Sequence, residues 1–217
     1  MKEQYFTKDN IFEKSLEIKN TVLKYSRKNK ILLKNENTAL IVTDMQDFFL
    51  KSESHAFIPS AEAIINNINI LIKTCEEFNI PVILTQHINN KENAAMMDVR
   101  WSDLITKENY LSEVSEKIIC QNPLLVKKTQ YDAFYKTNLE KLLQKHNKSQ
   151  IIICGLMTNL CCETTARSAF VRGFEIFMPI DTTAAYNFDF HLSTIKNLSY
   201  GFCQPILSNE IINEISK

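Results

Sequence analysis

The chain has 217 residues, 45% of them hydrophobic and 23% charged, and its 25 Lys plus Arg balance 25 Asp plus Glu. That length fits one sizeable domain, and the even charge offers no field to gather nucleic acid or an acidic membrane surface. Basic runs such as RKNK at 27–30 are short, no stretch approaches the roughly 18 apolar residues of a membrane span, and the polar start MKEQYFTKDN lacks a secretory core. The expectation is a cytosolic protein with neither nucleic-acid nor membrane partners.

Residues 1–36 are rich in Lys, Asn and Glu, with a weak helical pattern at Ile11, Phe12, Leu16, Val22 and Leu23, and read as a peripheral, partly helical extension. TALIV at 38–42 reads as a buried strand. The segment starting at Ala61 sets Ile64, Ile65, Ile68, Leu71, Ile72 and Cys75 on one helical face. PVILT at 81–85 and LLVK at 124–127 are the next two strands. Thr137 and Glu140 have capping-box spacing and mark a helix start. QIIICG at 150–155 is a fourth strand, and a helix over 159–172 ends at Gly173. FEIFMP, the helical DFHLSTIKNLSYG and a sixth strand, CQPIL, complete the series. Apolar strands alternating with amphipathic helices define an α/β fold, a three-layer, Rossmann-like arrangement with a six-stranded, mainly parallel sheet covered on both faces.

Ligands of such sheets bind beyond the carboxyl ends of the strands. Three kinds of reactive group, an acid, an amine and a thiol, arrive there. Asp44 follows the first strand, Lys128 the third, and Cys161 and Cys162 the fourth. Singly, each has a plain structural explanation: a carboxylate after a strand is often a turn former, a lysine a solvated charge, a helical cysteine a small core residue. Their convergence favours chemistry. The six cysteines include no CxxC and no zinc-finger spacing, so most are expected to be buried thiols. At about 100° per residue, Cys162, Ala166, Ala169 and Gly173 make one stripe of small side chains suited to packing on a sheet. Cys161 points away with Thr165 and Ser168, in a first turn whose free N–H groups stabilise a thiolate. Helical geometry favours Cys161 as the nucleophile.

Asp44 in ALIVTDMQDFF, Lys128 in VKKTQYDAFYKTNLEKLL and Cys161 in IIICGLMTNLCCETTARSAFVRGFEIF resemble the isochorismatase-like cysteine hydrolases, over about residues 37–207. The resemblance implies a hydrolase domain over 37–217 and an Asp44–Lys128–Cys161 triad, with the strands of Asp44 and Cys161 adjacent. It also implies a cis peptide before Met157, which would aim the Met157 and Cys161 N–H groups into one oxyanion hole. Hydrolysis of a C–N bond in an amide, ureido or carbamoyl group through a thioester follows, with no cofactor, in a homo-oligomer (a dimer or larger).

Members of the family differ in chemistry. Nicotinamidases carry a metal-binding Asp/His cluster after the second strand. Here LTQHINNKENAAMMDVRW has one histidine, which argues against a metal and against that activity. Isochorismatases cleave a vinyl ether without a cysteine nucleophile; the N-terminal extension and Trp101 resemble that branch, whereas Cys161 does not. Phe49, His87 and Trp101 are the substrate-binding candidates, with Tyr186 behind them, although His87 also reads as a solvent-exposed loop histidine. No arginine in the matched blocks is set to pair with a carboxylate, Arg100 being the nearest, so a small neutral substrate is expected over a dianion. A non-catalytic binding protein on the same fold and a thiol redox sensor using Cys161 are the other classes open to this sequence.

Overall fold

The computed structural model describes residues 1–26, 31–101 and 103–217; the basic run at 27–30 lies outside them. Among the described residues, seven strands form one sheet: β1 (Thr38–Thr43), β2 (Val82–His87), β3 (Leu124–Lys128), β4 (Gln150–Leu156), β5 (Glu175–Pro179), the two-residue β6 (Thr183–Ala184) and β7 (Gln204–Ile206). The order is β3-β2-β1-β4-β5-β7 with β6 beside β4, and every pairing between these strands is parallel. The two-residue β6 is the addition to the six expected strands. It is too short to leave a periodic signal.

The helices are α1 (Ile11–Leu23), α2 (Asp47–Leu50), α3 (Ala61–Glu77), α4 (Met96–Arg100), α5 (Leu139–Lys145), α6 (Glu163–Val171), α7 (Phe188–Gly201) and α8 (Ser208–Ile215). From β1 the chain winds one way across the sheet, and from β4 it winds the other. With right-handed crossovers this reversal places helices on both faces. α3 packs with α8 on one face, and α6 with α7 on the other. The six apolar residues anticipated on one face of α3 are all buried. Residues 5–22 are joined to the same core: Tyr5, Phe6, Ile11, Ile18 and Val22 are buried in it, and the Ser60 hydroxyl accepts from the Tyr5 and Phe6 N–H groups. The weak helical pattern had suggested a peripheral segment because its two most buried aromatic residues precede the helix.

β2 runs two residues beyond PVILT. Gln86 and His87 are polar, which ends the apolar run, yet they continue the ladder opposite Lys127 and Lys128. Their polarity is absorbed locally, since the His87 N–H donates to Gln46 Oε1 at 2.8 Å and Gln86 Nε2 donates to the Ser112 carbonyl at 3.1 Å. The Thr137–Glu140 capping box does not form. Thr137 Oγ1 donates to the Ala133 carbonyl at 2.6 Å, and Glu140 pairs with Arg172 at 3.2 Å. α5 begins at Leu139 instead.

The reversal point lies between β1 and β4, whose last paired residues are Thr43 and Gly155. Gly155 has φ +100°, and a Cβ there would stand 2.1 Å from the Thr43 carbonyl oxygen. Only glycine permits this approach, which brings the loops after β1 and β4 together.

Candidate active site

Asp44 leaves β1 with φ +47°, a left-handed conformation that Asp tolerates better than most residues. Thr85 of β2 clasps it at both ends: its hydroxyl accepts from the Asp44 N–H at 3.1 Å and donates to Oδ1 at 2.6 Å. Oδ2 faces Lys128 Nζ at 2.7 Å, with both side chains fully buried, and the Cys161 thiol also interacts with the carboxylate. Lys128 Nζ also lies 3.2 Å from Cys161 Sγ, 3.0 Å from the Gln130 carbonyl oxygen and 3.3 Å from His87 Nδ1. Acid, amine and thiol, 117 residues apart in sequence at the extremes (161 − 44), form one buried cluster.

Cys161 does not sit in an ordinary first turn. Residues Thr158–Cys162 form a π turn ahead of α6, in which the Leu160 and Cys162 N–H groups both donate to the Met157 carbonyl at 3.1 Å. That pattern passes over the Cys161 N–H between them. The Leu156–Met157 peptide is cis, as the resemblance implied. Cys162 lies fully buried with Ala166 and Ala169, its Sγ 3.9 Å from the Cys154 carbonyl oxygen. The opposite side of α6 clasps the loop after β3: Thr165 Oγ1 accepts from the Ala133 N–H at 3.1 Å and donates to the Tyr131 carbonyl at 3.3 Å, while Ser168 donates to Asp132 at 2.7 Å. These bonds fix the distance between Lys128 and Cys161.

Burial dominates the electrostatics. It alone would push the Asp44 carboxyl up, but the Lys128 ammonium and the bonds from Lys128 and Thr85 outweigh it and hold the group below the ordinary carboxylate range. Burial likewise opposes the Lys128 charge, and Asp44 with Cys161 keeps the amine above its ordinary value. The Cys161 thiol is pushed up to about 12 by burial, with Lys128 opposing. The thiolate expected from the helix N-terminus is therefore absent at rest. Desolvation exceeds the pull of a few N–H groups, and a charged base beside a neutral thiol results.

His87 is the last residue of β2 and buried, not a solvent-exposed loop residue. Burial, then Lys128, lowers its imidazole to about 4. Its Nε2 is 2.5 Å from Asn89 Oδ1, so both ring nitrogens are engaged. His191 lies equally buried behind the π turn, with Nδ1 3.0 Å from Thr158 Oγ1, and burial lowers it to about 3. Both histidines are thus neutral when folded and gain a proton more readily when unfolded, where their ordinary value is about 6.5. Stability is expected to fall as pH drops from about 6.5 towards 4, by about 1.4 kcal/mol per pH unit for each histidine. A urea midpoint that stays level from pH 7 to 4.5 would contradict this.

A cavity of about 60 Å³ opens above Cys161. Phe49, His87 and Trp101, the three sequence candidates, all line it, and so does Tyr186. Arg100 is exposed and takes no part in the lining. Trp101 Nε1 donates to the Tyr131 hydroxyl at 2.7 Å, which sets two aromatic rings along the wall. Phe48, Ala56 and Ile105 of the lining belong to a small apolar cluster with Leu111. Of the described residues, no Lys or Arg lines the space; its charged members are Asp103 and, when protonated, His55, 3.5 Å apart and largely exposed. Thr85, Asn89, Gln130, Tyr131 and Phe48 were not singled out in the sequence. Tyr131 and Gln130 stand in the quoted Lys128 block, but a carbonyl or a hydroxyl in a loop carries no signal of its own.

Asp44, His87 and Cys161 offer ligand atoms within 4.8 Å of one another, the one such group among the described residues. The Lys128 ammonium already stands among these atoms, at 2.7, 3.3 and 3.2 Å. A divalent ion would have to displace a buried cation, so the cluster does not fit a metal.

A parallel sheet covered on both faces, with an acid, an amine and a thiol gathered at its reversal point, defines an α/β protein of the hydrolase type. The isochorismatase domain model matches residues 38–210, and the chain belongs to the isochorismatase family of hydrolases. It is 37% identical over 169 residues to nicotinamidase 3 of Arabidopsis thaliana, covering 76% of this chain and 81% of that protein. To enterobactin synthase component B of Escherichia coli (strain K12) it is 29% identical over 181 residues, covering 82% of this chain but 63% of that protein. A crystal structure of a cysteine hydrolase from Pseudomonas syringae pv. phaseolicola 1448A superposes with a TM-score of 0.79 at 24% identity, covering 86% of this chain and 96% of that one, a likeness of fold.

Proposed function

We propose that the protein hydrolyses a C–N bond in a small, uncharged amide, ureido or carbamoyl compound, with Cys161 as nucleophile. The observation that carries this is the position of Lys128 Nζ, 2.7 Å from the Asp44 carboxylate and 3.2 Å from the Cys161 sulfur, beneath an aromatic cavity. Asp44, ionised and beside the Cys161 thiol, takes the thiol proton as substrate arrives. The thiolate adds to the carbonyl carbon, and the oxyanion receives the Met157 and Cys161 N–H groups. Asp44 returns the proton to the leaving nitrogen, which departs as ammonia or an amine and leaves a thioester. Water, deprotonated by Asp44, then attacks the thioester. Carboxylic acid leaves, and the proton goes back to sulfur.

The lining supports an uncharged substrate, since no described Lys or Arg lines the cavity to pair with a dianion. The relative named nicotinamidase 3 supports an amide. The missing Asp/His cluster after β2 speaks against that particular activity, and the likeness to nicotinamidase 3 supports an amide without naming the substrate. Phe49, Trp101 and Tyr186 supply apolar surface for a planar acyl group.

An ammonia-release screen over amides and ureido compounds, run beside isochorismate, tests the reading. Amide turnover is expected to survive dialysis against a chelator. Efficient turnover of isochorismate with none of any amide would reject the reading, and a loss restored by Zn²⁺, Mn²⁺ or Fe²⁺ would reject metal independence.

A further inference from the structure

Lys128 carries three N–H protons into a site that offers four acceptors. Asp44 Oδ2 stands at 2.7 Å, the Gln130 carbonyl oxygen at 3.0 Å, Cys161 Sγ at 3.2 Å and His87 Nδ1 at 3.3 Å. Three protons cannot serve four acceptors, so one acceptor goes without at any moment. The charge on sulfur decides which. A thiol sulfur is a weak acceptor and leaves the third proton to His87. A thiolate is an anion, and it outcompetes a neutral imidazole for the same proton.

The surroundings of His87 equip its Nδ1 to accept from Lys128. Asn89 Nδ2 donates to the Thr129 carbonyl at 2.7 Å, which turns Asn89 Oδ1 towards the ring at 2.5 Å. That oxygen requires a proton on Nε2, so the lone pair of Nδ1 points at Lys128. With both nitrogens committed, His87 has no polar atom left for a substrate.

Resting on the reading of Cys161 as nucleophile, we infer that His87 is a positioning residue for Lys128. It holds the third ammonium proton while the sulfur is neutral, as thiol or thioester, and yields it when the thiolate forms. Without that acceptor, one ammonium proton in a closed site has only the weakly accepting neutral sulfur to meet. Both neutral states rise relative to the thiolate. The thiol then ionises more readily.

The test compares the wild type with His87→Asn and His87→Gln. Asn sets an amide oxygen where Nδ1 stands; Gln sets its polar atoms near the Nε2 position and leaves none towards Lys128. The first readout is the rate of Cys161 alkylation by iodoacetamide between pH 7 and 9, with the labelled peptide identified by mass spectrometry. The other titratable groups facing the sulfur, Asp44, Lys128 and Tyr131, are the same in all three proteins. His87→Gln is expected to be alkylated about tenfold faster at a given pH, equivalent to a downward shift of about one pH unit, and His87→Asn to recover most of that difference. With the amide that the ammonia-release screen turns over fastest, both variants should keep KM within about twofold of the wild type. Unchanged alkylation in His87→Gln overturns the inference, as does equal behaviour of the two variants, or a raised KM with kcat kept. Label on a cysteine other than Cys161 overturns the nucleophile reading and this inference with it, an outcome distinct from the other three.

Discussion

Cys161→Ala is expected to bring amide hydrolysis down by about 10⁴-fold or more, to what binding and an oxyanion hole sustain alone. The sulfur contacts Lys128, and Cys161 lines the cavity. Its removal leaves Asp44 with no thiol to deprotonate and the substrate carbonyl with no attacking group. Cys162→Ala should keep most of the activity. That side chain is fully buried with Ala166 and Ala169, and it takes no part in the cavity lining. Its loss should appear in stability, by about 1–2 kcal/mol for a small buried group, and not in turnover. Steady-state rates and urea midpoints on the two variants separate these effects. Equal losses of activity would remove the distinction between the neighbouring cysteines.

Asp44→Asn is expected to lower kcat/KM by about 10²–10⁴-fold, the usual worth of a positioned proton acceptor. The shape of the side chain is nearly kept, and the Thr85 hydroxyl still has an oxygen to meet. What disappears is the acceptor for the Cys161 proton and the negative partner of Lys128. An ammonium with no exposed surface then stands unpaired, which costs about 3–5 kcal/mol. The variant should therefore be less stable as well as slow. Adding Lys128→Met is expected to recover much of the stability and none of the activity, because it removes the orphaned charge without restoring a base. A double variant that regains turnover, or a single variant at near-normal rate, would contradict the role given to Asp44.

The parts of this fold that were legible in the sequence are those written in periodicity. β1, β4 and β5 are continuous apolar runs, and α3 repeats its isoleucines at helical spacing, so burial follows directly from pattern. Where a strand is polar the pattern fails, as at Gln86 and His87, whose inclusion in β2 depends on partners drawn from positions 46 and 112. The approach of Asp44, Lys128 and Cys161 was readable because each follows or ends a strand of a parallel sheet, and such ends meet at one rim. The state of the thiol was not. Helix position favoured a thiolate, but desolvation by a fully folded surround prevails, and no local stretch of sequence encodes that surround. The fourth acceptor around Lys128 was equally hidden. It depends on Asn89 being held by a carbonyl 40 residues away, a relation visible only in three dimensions.

The most direct test of the central claim is to quench the protein with acid during turnover of an active amide and locate the acyl group by fragmenting the peptide that contains residues 161 and 162. The account predicts a thioester carrying the acyl half of the substrate on Cys161, absent from Cys161→Ala and accumulating in proportion to the active protein. An acyl group on Cys162, or sustained turnover with no adduct on either cysteine, would contradict it.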